Sequence, residues 1–256
     1  VSRGRGVLRV RGGGNGNKKT FRKTMEETIA ALSTPSGESA IALVRLSGAD
    51  CARIAREAFR RRTVEPRVAN FGVYKNVAGE TLDEAVFTLF EKPASYTGED
   101  MLEISCHGNP FIARKILDDL FARGARPAQA GEFTRRAFMN DKLDLSQAEA
   151  VALVIGARGE RALQAAQKQL SGELGRRIAR ISDGLLDMSA LVEAYIDFPE
   201  DDLPEEDKQK LADSADALAD DVEKLLATAK YAPLVHDGIN AVIAGAPNAG
   251  KSSLLN

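Results

Sequence analysis

From Leu145 onward the strand signal stops for about 85 residues, and this change of texture limits what the chain can become. Ile178, Ile181, Leu185, Met188, Val192 and Tyr195 step by three and four residues. Leu211, Ala215, Leu218, Val222 and Leu225 repeat the pattern. Side chains at that spacing share one helix face, and two such stripes predict a bundle seam. Ser146, with Glu149 three residues later, reads as an N-cap with a capping box. Between the stripes lies an acidic segment with two prolines, Asp197 to Pro204. It reads as a solvated connection, with cation binding the weaker alternative.

Upstream the texture is different. Short apolar runs at Thr28–Leu32, Ser39–Leu46, Phe71–Val77, Ala85–Phe90 and Met101–Cys106 are bounded by turn residues such as Thr34-Pro35-Ser36-Gly37 and Gly79. Two helices interleave with them. Asp50 is placed to cap one through Phe59, and Asn109-Pro110 opens another to about Arg123. The expected fold is an α/β or α+β domain over 25–140, followed by an all-α helical domain over 141–235. Strand character returns at Ile239–Ala244, just before a glycine loop. Residues 236–256 therefore read as the first βα unit of a P-loop domain, cut off at Asn256.

Composition fits two cores: 256 residues, 44% of them hydrophobic. The net charge of -2 excludes a uniformly basic nucleic-acid binder, but the charge is uneven. Arg3, Arg5, Arg9, Arg11, Lys18, Lys19, Arg22 and Lys23 crowd residues 1–24, which hold no acid and three consecutive glycines. Two readings of this stretch stand, an RNA-binding or targeting arm and a flexible basic leader. No apolar run is long enough to span a membrane. Cys51 and Cys106 alone make neither a disulfide framework nor a zinc site, which suits a reducing, cytoplasmic setting.

Three stretches carry chemistry. Gly245-Ala246-Pro247-Asn248-Ala249-Gly250-Lys251-Ser252 matches G-x-x-x-x-G-K-[ST]. In such a loop glycines let backbone N–H groups turn toward phosphate oxygens, and the helix that follows aims its positive end at them. Lys251 is the catalytic candidate, placed to reach the β- and γ-phosphates. Asn248, Ala249, Gly250, Lys251, Ser252 and Ser253 form the nucleotide-binding set, and the Ser252 hydroxyl is a Mg²⁺ ligand. The motif alone does not choose between ATP and GTP.

The second stretch, Thr97 to Gly108, puts Glu103, Ser105 and His107 on one strand face and Leu102, Ile104 and Cys106 on the other. The polar face is a solvent face or a pocket wall, and the Cys106 thiol reads as buried and inert. The third, Gly131 to Glu149, reads as a short amphipathic helix, a turn at Asn140-Asp141 and a capped helix. In it Lys142 is either a cationic anchor or a surface lysine.

These stretches, with Ala42-Leu43-Val44-Arg45-Leu46-Ser47-Gly48 and Ala194-Tyr195-Ile196-Asp197-Phe198-Pro199, resemble the MnmE (TrmE) family of tRNA uridine-modification GTPases. The resemblance runs from about Glu27 to Asn256. It implies an N-terminal domain that forms a homodimer and binds 5-formyl-tetrahydrofolate or a related reduced folate, and a helical domain interrupted by a GTPase. It further implies a K⁺-dependent hydrolase using GTP and Mg²⁺, and a complex with the flavin-dependent MnmG. Together the two would modify carbon 5 of the wobble uridine at position 34 of certain tRNAs. Arg45, Glu103 and Lys142 resemble the folate contacts, and Asn248 resembles the ligand of the activating K⁺. Ser36, Glu38 and Ser39 depart from the family's usual turn, and Ala130 stands where Pro is usual. The resemblance also implies that a chain ending at Asn256 does not hydrolyse GTP by itself. Two other classes remain: a folate-binding or one-carbon-transfer module with an incidental P-loop, and a generic P-loop ATPase with an N-terminal dimerisation domain.

Overall fold

The computed structural model describes residues 27–197 and 205–229, together with Val242, Ala244, Gly245, Gly250 and Ser253. The basic leader, the acidic segment from Phe198 to Pro204, and Asn248, Ala249, Lys251 and Ser252 lie outside the described residues. So does the strand expected at 239–244, except for Val242 and Ala244, which belong to no strand. The chain divides into two compact units at Leu143/Asp144.

The first unit is built on a mixed sheet of β1 (Ile29–Leu32), β2 (Ile41–Ser47), β3 (Asn70–Lys75), β4 (Thr81–Phe90), β5 (Met101–His107) and β6 (Arg126–Pro127). Their order across the sheet is β3-β4-β5-β2-β1-β6. All neighbours are antiparallel except β1 and β6. The two-residue β6 has no apolar run and escapes periodicity altogether.

The register follows from burial. Ala42, Val44 and Leu46 stand opposite Cys106, Ile104 and Leu102, and Phe87 and Leu89 continue the row on β4. Slipping any strand by one residue would turn this row into solvent. Helices α1 (Cys51–Ala58) and α2 (Pro110–Ala122) cover that face through Cys51, Ile54, Ala55 and Ala58, and through Ala113, Ile116 and Leu120. Asn109 caps α2, its side chain accepting from Phe111 N, as the Asn-Pro pair predicts. Asp50 begins α1 but does not cap it. Its carboxylate accepts instead from Arg53 Nε and from the Thr28 hydroxyl. The short α3 (Glu132–Met139) follows Gly131, which is left-handed at φ 71.

The second unit contains α4 (Leu145–Gly156), α5 (Glu160–Leu170), α6 (Glu173–Asp197) and α7 (Glu205–Ala229). The capping box at α4 is real but lies two residues earlier than Ser146 and Glu149 suggest. Asp144 Oδ1 accepts from Gln147 N at 2.8 Å, and Gln147 Oε1 accepts from Asp144 N at 2.9 Å. Asp144 is extended, at φ -78 and ψ 172, as an N-cap must be, whereas Ser146 is already helical and donates back to Asp144. Gln147 and Gln169 then clasp α4 and α5, each donating to a carbonyl of the other helix.

The predicted seam between α6 and α7 is only half covered. Ile181 and Met188 line grooves with Leu211, Leu218 and Leu225. Among the described residues α6 has one long neighbour, and Ile178, Leu185 and Val192 of its wide apolar stripe stay exposed.

Candidate functional site

On the sheet face opposite α1 and α2, Arg45 of β2 and Glu103 of β5 are directly cross-strand. An opposite-charge pair in that position is the sheet counterpart of a helical i,i+4 pair. Arg45 Nε and Nη2 both donate to Glu103 Oε1, at 2.9 and 2.7 Å. The two side chains are about one quarter exposed, buried enough to be held and open enough to be reached.

Two aromatic rings flank the guanidinium. Tyr96 lies 5.6 Å from it and Phe133 of α3 lies 5.9 Å away, both within cation–π range. The Tyr96 hydroxyl and the Thr134 hydroxyl share a 2.9 Å hydrogen bond that ties the Tyr96 loop to α3. Among the described residues no hydrogen bond is made by Arg45 Nη1 or Glu103 Oε2. One donor and one acceptor of the pair are therefore left open, with two aromatic rings near the guanidinium. That arrangement matches the edge of a flat heterocycle carrying amide and amino groups.

The loop that carries Tyr96 and helix α3 also share a buried ionic network. Arg136 donates to Glu99 Oε2, Glu132 Oε1 and the Glu27 carbonyl. Glu99 also accepts from Ser47, whose hydroxyl meets Thr97 at 2.7 Å. Burial pushes the Glu132 carboxyl upward, but hydrogen bonds from Arg126, the Gln129 backbone and Arg136 outweigh it and hold the group at about 2. A buried charge this well satisfied fixes α3, and with it Phe133, against the sheet.

Lys142 joins the group only indirectly. Its Nζ donates to the Pro93 carbonyl at 3.2 Å, at the start of the loop that carries Tyr96. Among the described residues it makes no bond to Arg45 or Glu103. Gly98 sets its position, since at φ 76 an added Cβ would stand 2.9 Å from Asn140 Cβ and 3.2 Å from Lys142 Cγ. Two of the three expected folate residues thus touch, and the third sits across a loop from them.

The rest of the polar face behaves differently. His107 Nδ1 meets Asp83 Oδ1 at 2.7 Å, and Asp83 also accepts from the His107 backbone. The ring itself is exposed. Cys106 is buried as expected, and burial together with Asp83 pushes its thiol up to about 11. Cys51 is driven higher still, first by burial and then by Asp100. Among the described residues no cluster of His, Cys, Asp or Glu could hold a metal, and no helix is long and apolar enough to cross a membrane. Of the phosphate loop, Gly250 is left-handed at φ 77 and its carbonyl accepts from Ser253 N, as a turn into a helix requires.

Tyr96, Phe133 and Arg136 were not visible as site residues in the sequence. Periodicity places residues on faces of one element and cannot bring Tyr96 next to a ring 37 positions later.

Two family models match this chain. The GTP-binding protein TrmE N-terminus covers residues 28–142, and the MnmE helical domain covers residues 145–252. The chain belongs to the MnmE (TrmE) family. Its open-face pair, both rings and Lys142 fall within the first match, and Asn248 to Ser252 fall within the second. Three similar proteins carry the name tRNA modification GTPase MnmE. That of Opitutus terrae is 56% identical over 232 residues, 91% of this chain and 51% of the relative. Those of Aquifex aeolicus and Geobacter sulfurreducens are 46% and 45% identical, each over 91% of this chain and 52% of the relative. The chain spans about half the length of these MnmE relatives.

Proposed function

We propose that the protein carrying this chain is a GTP-hydrolysing tRNA-modification enzyme whose first unit presents a reduced folate as one-carbon donor. The observation that carries this is the Arg45–Glu103 pair with Tyr96 and Phe133 near its guanidinium. A folate offers a flat ring with amide and amino edges and a glutamate tail. Glu103 Oε2 would accept from the ring N–H and amino groups, and Arg45 Nη1 would donate to its carbonyl. The two aromatic rings would hold the ring plane, and Lys142 would meet a tail carboxylate.

At the phosphate loop, Lys251 and the N–H groups of Ala249, Gly250, Ser252 and Ser253 would hold the β- and γ-phosphates of GTP. Ser252 would ligate Mg²⁺ and Asn248 would ligate K⁺. A monovalent cation there would supply the charge that an arginine finger supplies elsewhere. The product would be tRNA modified at carbon 5 of the wobble uridine, made by a homodimer working with MnmG in the cytoplasm. The name of the relatives, tRNA modification GTPase, supports the GTPase and tRNA parts of this reading.

Calorimetry with 5-formyl-tetrahydrofolate tests the first unit. A saturable heat that Glu103→Ala reduces supports the folate site, and no heat in a folded sample removes it. For the second part, phosphate release from GTP is measured on the full reading frame with K⁺ and with Na⁺. Lys251→Ala is expected to abolish it.

A further inference from the structure

Between Arg53 and Arg67 the chain carries six arginines, no lysine and only two glutamates, in a protein whose net charge is -2. Glu57 is already shared by Arg53 and Arg123. Among the described residues Arg56, Arg60, Arg61, Arg62 and Arg67 make no ion pair, and all five are exposed. Arg61 and Arg67 are nevertheless held in place. Arg61 N donates to the Arg56 carbonyl, Arg61 Nη2 to the Phe71 carbonyl and Arg67 Nη2 to the Ala94 carbonyl. The Arg60 guanidinium reaches the β3–β4 turn, where a Cβ on Gly79 would lie 2.8 Å from its Nη2. Phe59, just before the triplet, is stacked on Phe87 at 3.7 Å and edge-on to Tyr74, so the backbone that presents it is anchored in the core.

We propose that this arginine stripe along the edge strand β3 binds the phosphate backbone of RNA. Carbonyl hydrogen bonds orient Arg61 and Arg67 without neutralising them, and the stripe follows a strand of six residues, about 20 Å of edge at 3.3 Å per residue. A row of guanidinium forks, two of them fixed by carbonyls, suits phosphate geometry better than it suits the scattered carboxylates of a protein partner. The inference rests on the reading of a tRNA substrate, and it places the RNA along the β3 edge of the sheet.

The test is fluorescence anisotropy of an unmodified tRNA transcript over a KCl series, on the whole 256-residue chain. The variant is Arg56→Gln/Arg60→Gln/Arg62→Gln, which spares the two arginines bonded to carbonyls. The basic leader is present in both proteins, so only the difference between them counts. Removing three phosphate contacts should make the slope of log affinity against log salt shallower by about two and weaken binding about tenfold or more at low salt. The matching triple lysine variant should keep most of the slope, which separates charge from misfolding. Equal affinity and slope in the wild type and the glutamine variant would overturn the proposal. So would a loss confined to phosphatidylserine vesicles with tRNA binding intact. A folate titration on the same samples separates the two readings. Folate heat with RNA binding indifferent to the variant sinks the stripe alone, whereas RNA binding lost in the variant without any folate heat sinks the folate reading alone.

Discussion

At the scale of single residues, the open-face pair makes the sharpest demands. Arg45 and Glu103 hold each other in the absence of ligand, so truncating either one leaves its partner half-buried and short of a contact. A charge-assisted hydrogen bond contributes about 1.5 to 3 kcal/mol. Arg45→Ala or Glu103→Ala should therefore weaken reduced-folate binding roughly ten- to a hundredfold by calorimetry. Gly98→Ala should act at a distance: its methyl would collide with Asn140 and displace Lys142, weakening folate binding while Arg45 and Glu103 stay in place. A crystal structure of that variant checks the displacement directly. The cysteines should be silent. With the Cys106 thiol pushed up to about 11 and Cys51 wholly buried, neither should be alkylated at pH 8 until the protein unfolds, as mass spectrometry after iodoacetamide treatment would show.

At the scale of elements, α3 and α4 show two ways of fixing a helix. The first is held by buried charge. Glu132 has its carboxyl held down at about 2, so the stability it contributes is complete above the ordinary value of 4.5 and drains away as pH falls toward 2. That amounts to something on the order of 3 kcal/mol at neutral pH. Glu132→Gln should cost several kcal/mol at pH 7, because Arg126 and Arg136 lose their partner, and should flatten the acid limb of a stability–pH curve from urea melts. The second helix is held by its cap, and Asp144→Ala should cost about 1 kcal/mol in the second unit. How far these elements could be read from sequence follows from range. The strand pattern at β2 and β5, the Asn109-Pro110 start of α2 and the long helices α6 and α7 are local signals, and they were legible. The α4 box was misplaced because Asp144 and Ser146 both carry capping side chains, and only backbone conformation separates them. Strand β6 and the bond from Arg136 to the Glu27 carbonyl were invisible, since their partners lie about a hundred residues away.

At the scale of the whole molecule, two units with separate internal packing predict two transitions. Calorimetric unfolding should resolve a first-unit melt that shifts upward with bound folate, by mass action, and a second-unit melt that does not. The chemistry divides in the same way. The open-face pair belongs to a sheet core shaped by long-range pairing, while the phosphate motif was read from eight consecutive residues with no help from the rest of the chain. The fold of the first unit was recoverable in class but not in strand order. Nothing in the alternation of β1 says that it lies between β2 and β6.

The position of β1 has a consequence for synthesis. The second strand position in the sheet from its β6 edge is filled by the first strand of the described residues, and its parallel neighbour is made only with residues 126 and 127. Arg136 then fastens the Glu27 carbonyl from ten residues further on. A nascent chain can pair β1 with β2 early, but it carries one bare strand edge until almost the whole unit has been translated. Exposed strand edges template intermolecular pairing. The interval before Arg126 emerges is when this protein should most need a chaperone on its β1 edge.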